Sequence, residues 1–437
     1  MAESPVFQFT PSLPREISTT PTLHHLLTII VESYLPESER NTAAVALATG
    51  HSQNHGHKYQ HPRICGSWVE VLYELPCLAH TDSLLSKSVT ALAAAVLTSV
   101  CISRQSISEP YLLAIGALRR RLENGLGRTE ELIPAVMCLI LVEVMIPNAN
   151  VALDAHLNAV GVFFRSAGPE ACKTGLLHRL FVGFRPLMII HAIQNRQPTF
   201  LGLSAWIEIP FSEIAPSIMQ AFFNEFVHLS SILCQMDGLC LEVSLQSTSQ
   251  SEIEKQVLQS LLVDMSARLD HWEDTLTTSP FSYRRDYNHS HETSHEHEDD
   301  QNQDHRRISF PNVTMANIFT HLWAFQIIIF REMAILSTAL SETVSSPEHR
   351  AIALARNISL SMDYLLKEDM GLFGPASSSF PLRTAWEVLK ESGDHVDSAH
   401  VKRSVDRLVA RGLLSAPTSV FGPDCMKSVQ DDVDVSR

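Results

Sequence analysis

The sequence lacks the cysteine spacing of a zinc module. None of its eight cysteines forms a Cys-x-x-Cys pair, and they are spread along the chain from Cys65 to Cys425. Several stand in apolar stretches such as AVLTSVC and AVMCLIL, where a reduced, buried cysteine is the ordinary state. The pattern argues against both a cysteine-based metal cluster and a disulfide framework.

An excess of positive charge is also missing. The chain has 33 basic and 48 acidic residues, which gives a formal net charge of -15. A protein that grips nucleic acid over a broad surface needs the opposite sign, because contacts to phosphate supply most of that affinity. We therefore expect no direct nucleic-acid binding, and any DNA contact to be local or provided by a partner.

The hydrophobic stretches of the sequence are shorter than a membrane-spanning helix requires. Residues 88–103 and 132–147 are strongly apolar, but each falls below about 20 residues and is bounded by charge or proline. Glu143 lies inside the second stretch. The N-terminal sequence MAESPVFQFTPSLPRE has no basic region followed by an apolar core, so no secretory signal is expected. Both stretches are predicted to be buried helices, without membrane contact.

Alternating patterns typical of strands are nearly absent, and helical spacing takes their place. The stretch YLLAIGALRRRLEN, which begins at Tyr111, has apolar residues at helical spacing. Thr129 then precedes two glutamates, as an N-cap precedes acids in the first turn. The next apolar pattern, NVALDAHLNAVGVFFRSA, ends at Gly168 and Pro169. Short connections between successive helices predict antiparallel packing.

Two polar, histidine-rich segments interrupt the helices, at residues 37–64 and 278–308. Neither can bury enough apolar surface to offset the cost of ordering, so we expect both to be disordered loops. The length would allow two or three average domains, but the continuous helical texture favours one. The sequence therefore predicts an all-α protein with a single large domain over residues 21–420, an N-terminal tail (1–20) and an acidic C-terminal tail (421–437).

The second polar segment contains H-E-x-x-H, which on a helix is the zinc-binding core of many metalloproteases. A catalytic helix needs apolar residues on its other face to hold the ligands, and only polar residues surround His291, Glu292 and His295. A solvated loop that changes charge near roughly pH 6 to 7 is the favoured interpretation, ahead of loose metal chelation and then catalytic zinc. The histidines concerned are His289, His291, His295 and His297, with His51, His55, His57 and His61 in the first segment.

Other catalytic signatures fail as well. GLGRTE (125–130) lacks the third glycine and the strand of a dinucleotide loop, and GHSQN (50–54) lacks the second glycine of a nucleophile elbow. We expect no catalytic, cofactor-binding or metal-binding residue and no cofactor. We therefore do not expect the protein to be an enzyme.

Five sequence segments follow one another in an informative order. They are YLLAIGALRRRL, AVMCLILVEV, HLNAVGVFFRSAGPEA, FLGLSAWIEIPF and, at 380–389, FPLRTAWEVL. In this order they resemble the fungal-specific transcription factor domain, the helical region that in that family usually follows a zinc binuclear cluster. The residues that carry the resemblance are Glu143, His156, Gly161, Gly168, Pro169, Trp206, Pro210 and Phe211.

These signature residues also have structural interpretations, which we favour. Gly161 would permit close helix approach, Gly168 and Pro169 would stop a helix, and Trp206 with Phe211 would anchor the helices that follow. For His156 two roles are left open: a buried core histidine with its hydrogen bonds satisfied, or a polar group that lines a pocket.

The resemblance implies a nuclear regulator or co-regulator of metabolic genes, secondary-metabolite genes among them. The chain departs from the family because only about twenty residues precede the helical region and no six-cysteine cluster is present. Such a protein would act through a DNA-binding transcription factor or as a homodimer, and a small-molecule effector is compatible with it. A ligand-binding or scaffold protein is the alternative, followed by an enzyme of a biosynthetic pathway.

Overall fold

The protein is represented by a computed structural model that describes most of the chain. The described residues are 22–40, 64–75, 83–100, 105–125, 129–146, 150–243, 249–280, 282–287, 306–339, 348–393 and 395–422. Helices make up almost all the regular structure in these ranges, so the all-α prediction is confirmed.

The α-helices are α1 Leu23–Tyr34, α2 Leu84–Val100, α3 Gln105–Glu123, α4 Thr129–Met145, α5 Asn150–Ala167, α6 Gly175–Gln194, α7 Ser204–Glu208, α8 Ile218–Phe226, α9 Leu229–Val243, α10 Ser249–Thr277, α11 Val313–Ala339, α12 Glu348–Leu365, α13 Phe373–Glu391, α14 His395–Ala410 and α15 Ala416–Phe421. Short 3-10 helices lie at Cys65–Glu74, Pro169–Cys172, Phe200–Gly202, Ile209–Phe211 and Glu368–Met370. One hairpin pairs β1, Arg284–Tyr287, with β2, Arg306–Ser309.

The helices predicted from punctuation form, with differences at their first residues. Helix α3 begins at Gln105, before the predicted Tyr111, and Thr129 is the first residue of α4 rather than its N-cap. Two glutamates stand in the first turn of α4, and α5 ends at Ala167. Gly168 has a φ of 80°, a left-handed conformation that ends the helix at low cost in glycine. Pro169 then opens a 3-10 turn, so the predicted stop is confirmed.

Two helices that are apolar on nearly every side organise the core. Helix α4 lies in the N-terminal half and packs against α2, α5 and α6, whereas α11 lies in the C-terminal half and packs against α10, α12 and α13. The halves join where the Leu372 amide donates to the Ser33 carbonyl at 2.9 Å and the Ser415 hydroxyl to the Val144 carbonyl at 2.7 Å. The buried apolar side chains form one contiguous cluster.

Two described helices have the length and hydropathy to cross a membrane: α6, Gly175–Gln194, and residues Val313–Ser337 of α11. In the fold, 56% and 89% of their apolar windows are buried. Core helices pass the same test, and burial against other helices gives both a packing role. The stretches singled out in the sequence lie elsewhere, because 132–145 belongs to α4 and 88–100 to α2.

The prediction of a disordered loop at 278–308 is wrong at both ends of that segment, because β1 and β2 form a hairpin there. Arg284 pairs with Ser309 and Tyr287 with Arg306. The few apolar residues there hold the strands to the core: Ile308 is only 2% exposed, and the Tyr283 ring packs edge-on against Phe319 at 4.9 Å.

The first predicted loop also begins later than expected, since residues 37–40 are helical. Residues 41–63 and 288–305, with both histidine groups and the H-E-x-x-H pattern, lie outside the described residues, as does the predicted tail at 1–20. Helix α15 continues to Phe421, whose ring lies 4.8 Å from Trp386. Residues 423–437 of the predicted acidic tail lie outside the described residues.

Candidate functional site

A cavity of about 300 Å³ lies at the seam between the two halves of the fold. Helices α4, α5 and α6 line it from the N-terminal half, and α11 and α13 from the C-terminal half. Its volume is at the lower end of the roughly 300–1,000 Å³ range of small-molecule sites. Most of the surface is apolar, with a few polar side chains that converge on it.

Two glycines bring aromatic side chains close to the backbone at this seam. A Cβ on Gly183 would lie 2.5 Å from Trp68 Cδ1, and one on Gly66 would lie 2.4 Å from Phe373 Cδ2. Neither glycine was singled out in the sequence. The sequence did contain a signal for Gly183. A glycine inside an apolar helix costs about 1 kcal/mol of stability relative to alanine, so its presence indicates that another group packs close to the helix backbone.

The wall formed by α4 and α5, here called the acidic wall, carries Glu143 and Asp154. Glu143 is 1% exposed and accepts a hydrogen bond from the Tyr111 hydroxyl. Its Oε1 also lies 3.7 Å from Nε2 of His156. Burial, together with the hydrogen bond to Glu143 and its charge, raises the pKa of Tyr111 well above its ordinary value. Tyr111 therefore stays protonated and remains the donor to this carboxylate.

His156 stands behind this carboxylate, without lining the cavity. It is 8% exposed, and within the described ranges its Nε2 has no hydrogen-bond partner. The structure thus brings together two of the polar residues that the sequence pattern singled out. His156 is not a satisfied core histidine, and of the eight signature residues Glu143 is the one that lines the cavity.

The second carboxylate of the acidic wall is held from α6. His191 Nε2 lies 2.8 Å from Asp154 Oδ1 and 2.9 Å from Asn195 Nδ2. A single ring nitrogen is at one time either a donor or an acceptor. Donation to the carboxylate gives the stronger, charge-assisted bond, so Asp154 is already engaged by the protein.

The opposite wall, here called the neutral wall, consists of Asn317 and His321 on α11 and Ser377 on α13. Asn312 begins α11, because its Oδ1 accepts from the Met315 amide at 2.9 Å. The residues at 317 and 321 are one turn apart and share a face. Ser377 Oγ lies 2.7 Å from Asn317 Oδ1, which ties the two helices together.

His321 is uncharged in this wall. It is 2% exposed, and burial lowers its pKa to about 4. Its Nδ1 lies 2.7 Å from the Asn317 carbonyl, an acceptor, so Nδ1 carries the proton. The other nitrogen, Nε2, is then a hydrogen-bond acceptor.

A partly buried thiol, Cys65, completes the lining. Cys65 Sγ accepts from Gln220 Nε2 at 3.3 Å, and the same amide's oxygen accepts from Arg185 at 3.0 Å. Burial raises the pKa of Cys65 to about 11, so the thiol is neutral at neutral pH. Arg185 is fully buried, binds neutral oxygens and lies 5.4 Å from the Phe211 ring centre. Burial lowers its pKa to about 10.

The remaining signature residues pack the helices. Trp206 is 5% exposed and lies 5.7 Å from the Phe181 ring, while Phe211 lies 5.9 Å from the ring of His178. Both therefore pack on the preceding helix α6, and their expected role as anchors for the following helices stays a prediction. Pro210 is buried in the 3-10 turn between them.

The predicted role of Gly161 is wrong. A Cβ there would lie 3.4 Å from Phe200, which is an ordinary contact, so the position does not need glycine for space.

Within the described ranges, no group of three or more His, Cys, Asp or Glu side chains is arranged to hold a metal ion. Comparisons with protein-family models, with curated proteins and with solved structures find no match to this chain, so the family resemblance of residues 111–211 stays a prediction.

Proposed function

We propose that this chain is a ligand-responsive regulator or co-regulator of transcription that acts through a partner. The observation that carries the proposal is the position of the cavity: α4, α5 and α6 line it from one half of the fold and α11 and α13 from the other. A bound molecule would contact both halves at once. Its binding free energy would therefore depend on how the halves pack.

A ligand shifts a conformational equilibrium only by its difference in affinity for the two states. A site that spans a seam supplies such a difference, because a small displacement of either half changes the shape of the site. The halves are joined by hydrogen bonds such as Ser415 to Val144 and Leu372 to Ser33, and by the ion pair of Arg196 with Glu332. In this proposal, ligand binding tightens the seam and alters the surface that a partner recognises.

The transcriptional part of the proposal is supported by the order of the signature pieces and by charge. A net charge of -15 disfavours broad contact with DNA, and the eight cysteines have no zinc-cluster spacing. In this proposal a DNA-binding transcription factor supplies the DNA contact, and the chain acts beside it as a single copy or as a homodimer. The expected compartment is the nucleus, and the expected targets are metabolic genes.

The test is a genome-wide crosslinking map of the tagged chain in its native cell, paired with a binding assay of the purified chain on DNA from the occupied promoters. The proposal predicts discrete promoter peaks, and no binding by the purified chain alone. A cytosolic protein without peaks would contradict the transcriptional role. Tight, sequence-specific binding by the purified chain would contradict the need for a partner.

A ligand-binding or scaffold protein without a role in transcription is the second candidate, and the same cavity favours it. An enzyme is less well supported. The pKa shifts of His321 and Cys65 both favour the uncharged form, which suits binding of a neutral molecule better than proton transfer near neutral pH. An enzyme would convert the molecule it binds, whereas a binding protein would release it unchanged.

A further inference from the structure

The neutral wall holds hydrogen-bonding capacity that the protein does not use. Asn317 is 4% exposed and His321 is 2% exposed, and both line the cavity. Among the described residues, the Asn317 side chain bonds to Ser377 and the His321 ring bonds through Nδ1. An amide offers four hydrogen-bonding positions and a neutral imidazole two, so both side chains have further capacity for a molecule in the cavity.

Polar side chains that line a cavity can be completed by a molecule that fills it. Asn317 and His321 lie one turn apart and line the same cavity, so a ligand there can bond to both. His321 determines which kind of group the ligand must present: its ring is neutral and Nε2 accepts, so the ligand has to donate. A hydroxyl group is a donor of this kind, and the Asn317 amide can receive or supply a second bond to the same oxygen.

The charges around the cavity disfavour an anionic ligand, and a cation would have to share carboxylates that already have protein partners. Tyr111 donates to Glu143, and His191 is paired with Asp154. An anion would meet these two carboxylates and a neutral His321. The lining includes one arginine, Arg383, which is 42% exposed and whose Nε lies 3.4 Å from Glu387.

The rest of the lining is apolar and includes aromatic rings. Trp68 and Phe373 stand near the close-approach glycines, Phe380 lies beside His321 with 5.7 Å between ring centres, and Leu187 and Ile190 face the cavity from α6. Such a surface favours a molecule with a ring system, since rings fit aromatic side chains with little loss of internal freedom.

We propose that the cavity binds an uncharged, mostly apolar organic molecule with a ring system, whose hydroxyl group donates to His321 Nε2 and also contacts the Asn317 amide. The inference rests on the proposed function only in taking the cavity as a ligand site. In this inference the neutral wall holds the hydroxyl group of the ligand, and the acidic wall stabilises the fold around the cavity.

Calorimetric titration of the full chain at neutral pH with three related probes tests this. The probes are 2-naphthol, which has the hydroxyl donor; 2-methoxynaphthalene, which has the same rings without a donor; and 2-naphthoate, which carries a negative charge. We expect 2-naphthol to bind about tenfold or more tightly than 2-methoxynaphthalene, because the ether leaves the buried acceptor unpaired. The 2-naphthoate anion should bind weakest.

A pair of histidine variants locates the anchor. His321→Phe keeps an aromatic ring and removes Nε2, so it should reduce 2-naphthol affinity to that of the methoxy probe. His178→Phe is the matched control, because His178 is also buried, bonds a backbone carbonyl at 2.9 Å and does not line the cavity. It should leave the affinity unchanged. If His321→Phe does not fold, Asn317→Ala serves instead and should weaken 2-naphthol binding more than 2-methoxynaphthalene binding.

The other outcomes separate this inference from the proposed function. Tightest binding by 2-naphthoate, or equal binding of all probes with no effect of either anchor variant, would overturn the ligand class while leaving a ligand site in place. No binding of any probe by the folded wild-type chain would overturn the inference. The transcriptional role is decided independently, by the promoter map.

Discussion

The two walls of the cavity are built on opposite principles. The acidic wall contains charged groups that the protein has already paired, Glu143 with Tyr111 and Asp154 with His191. The neutral wall contains uncharged groups, Asn317 and His321, that retain unused hydrogen-bonding positions. The buried Glu143 needs a permanent partner for its charge, whereas an uncharged polar group costs less when no ligand is bound. In our proposal, the acidic wall maintains the fold and the neutral wall recognises the ligand.

The largest expected effect concerns the charge state of the neutral wall. The folded-state pKa of His321, about 4, lies below the ordinary value of 6.5, so the unfolded chain binds more protons between these pH values. Its contribution to stability is complete above pH 6.5 and declines as the pH falls towards 4. At about 1.4 kcal/mol per pKa unit, the loss is roughly 3 kcal/mol.

Urea unfolding of the wild type and of His321→Phe, at a series of pH values across this window, measures that loss. The variant should show a flatter decline. The share due to His400, whose pKa is also lowered by burial, remains in both proteins. Parallel curves for the two proteins would mean that burial does not lower the pKa of His321.

The next effect concerns the pairing of the acidic wall. Tyr111→Phe removes the hydroxyl that donates to the buried Glu143 and should lower the free energy of unfolding by about 2 kcal/mol, as expected for a lost bond to a charged group. The control is Tyr73→Phe, whose hydroxyl bonds a neutral Thr28 oxygen at 3.3 Å and is half-buried. It should cost about 1 kcal/mol or less. Equal losses would remove the distinction between a charged and a neutral partner.

The glycine at the seam should matter more than the glycine of the sequence signature. In Gly183→Ala the new Cβ would lie 2.5 Å from Trp68, and overpacking of this kind costs about 1–3 kcal/mol. Gly161→Ala meets an ordinary contact inside helix α5 and should be neutral or stabilising by up to about 1 kcal/mol. Thermal unfolding of the two variants compares them directly. A larger loss at Gly161 would reverse the assignment.

The helices of the fold were readable in the sequence, and the neutral wall was not. Glu143 attracted notice because a carboxylate inside an apolar run is unusual, and Gly168 with Pro169 because these residues stop helices. Asn317, His321 and Ser377 are ordinary residues of apolar helices, and only packing brings α11 against α13. The hairpin was missed for a related reason: Ile308 and Tyr283 are isolated apolar residues at the ends of a polar segment, and their burial depends on distant helices.

The smallest stability effect is expected on the neutral wall itself. Asn317→Ala removes one hydrogen bond, to Ser377, which can still donate to the Gly374 carbonyl at 2.8 Å. The free energy of unfolding should therefore fall by about 1 kcal/mol or less, while 2-naphthol binding weakens. A change in stability as large as that of Tyr111→Phe would show that this wall maintains the fold as much as the acidic wall does. Denaturant unfolding, measured beside the binding titration, separates the two.

Amide hydrogen exchange of the full chain, with and without saturating 2-naphthol, tests the division of labour between the walls most directly. The account predicts added protection concentrated in α11 and α13, around Asn317, His321 and Ser377. Helix α4 and the region of Glu143, already closed by their own bonds, should change little. Protection centred on α4 and α5, with α11 and α13 unaffected, would contradict the account.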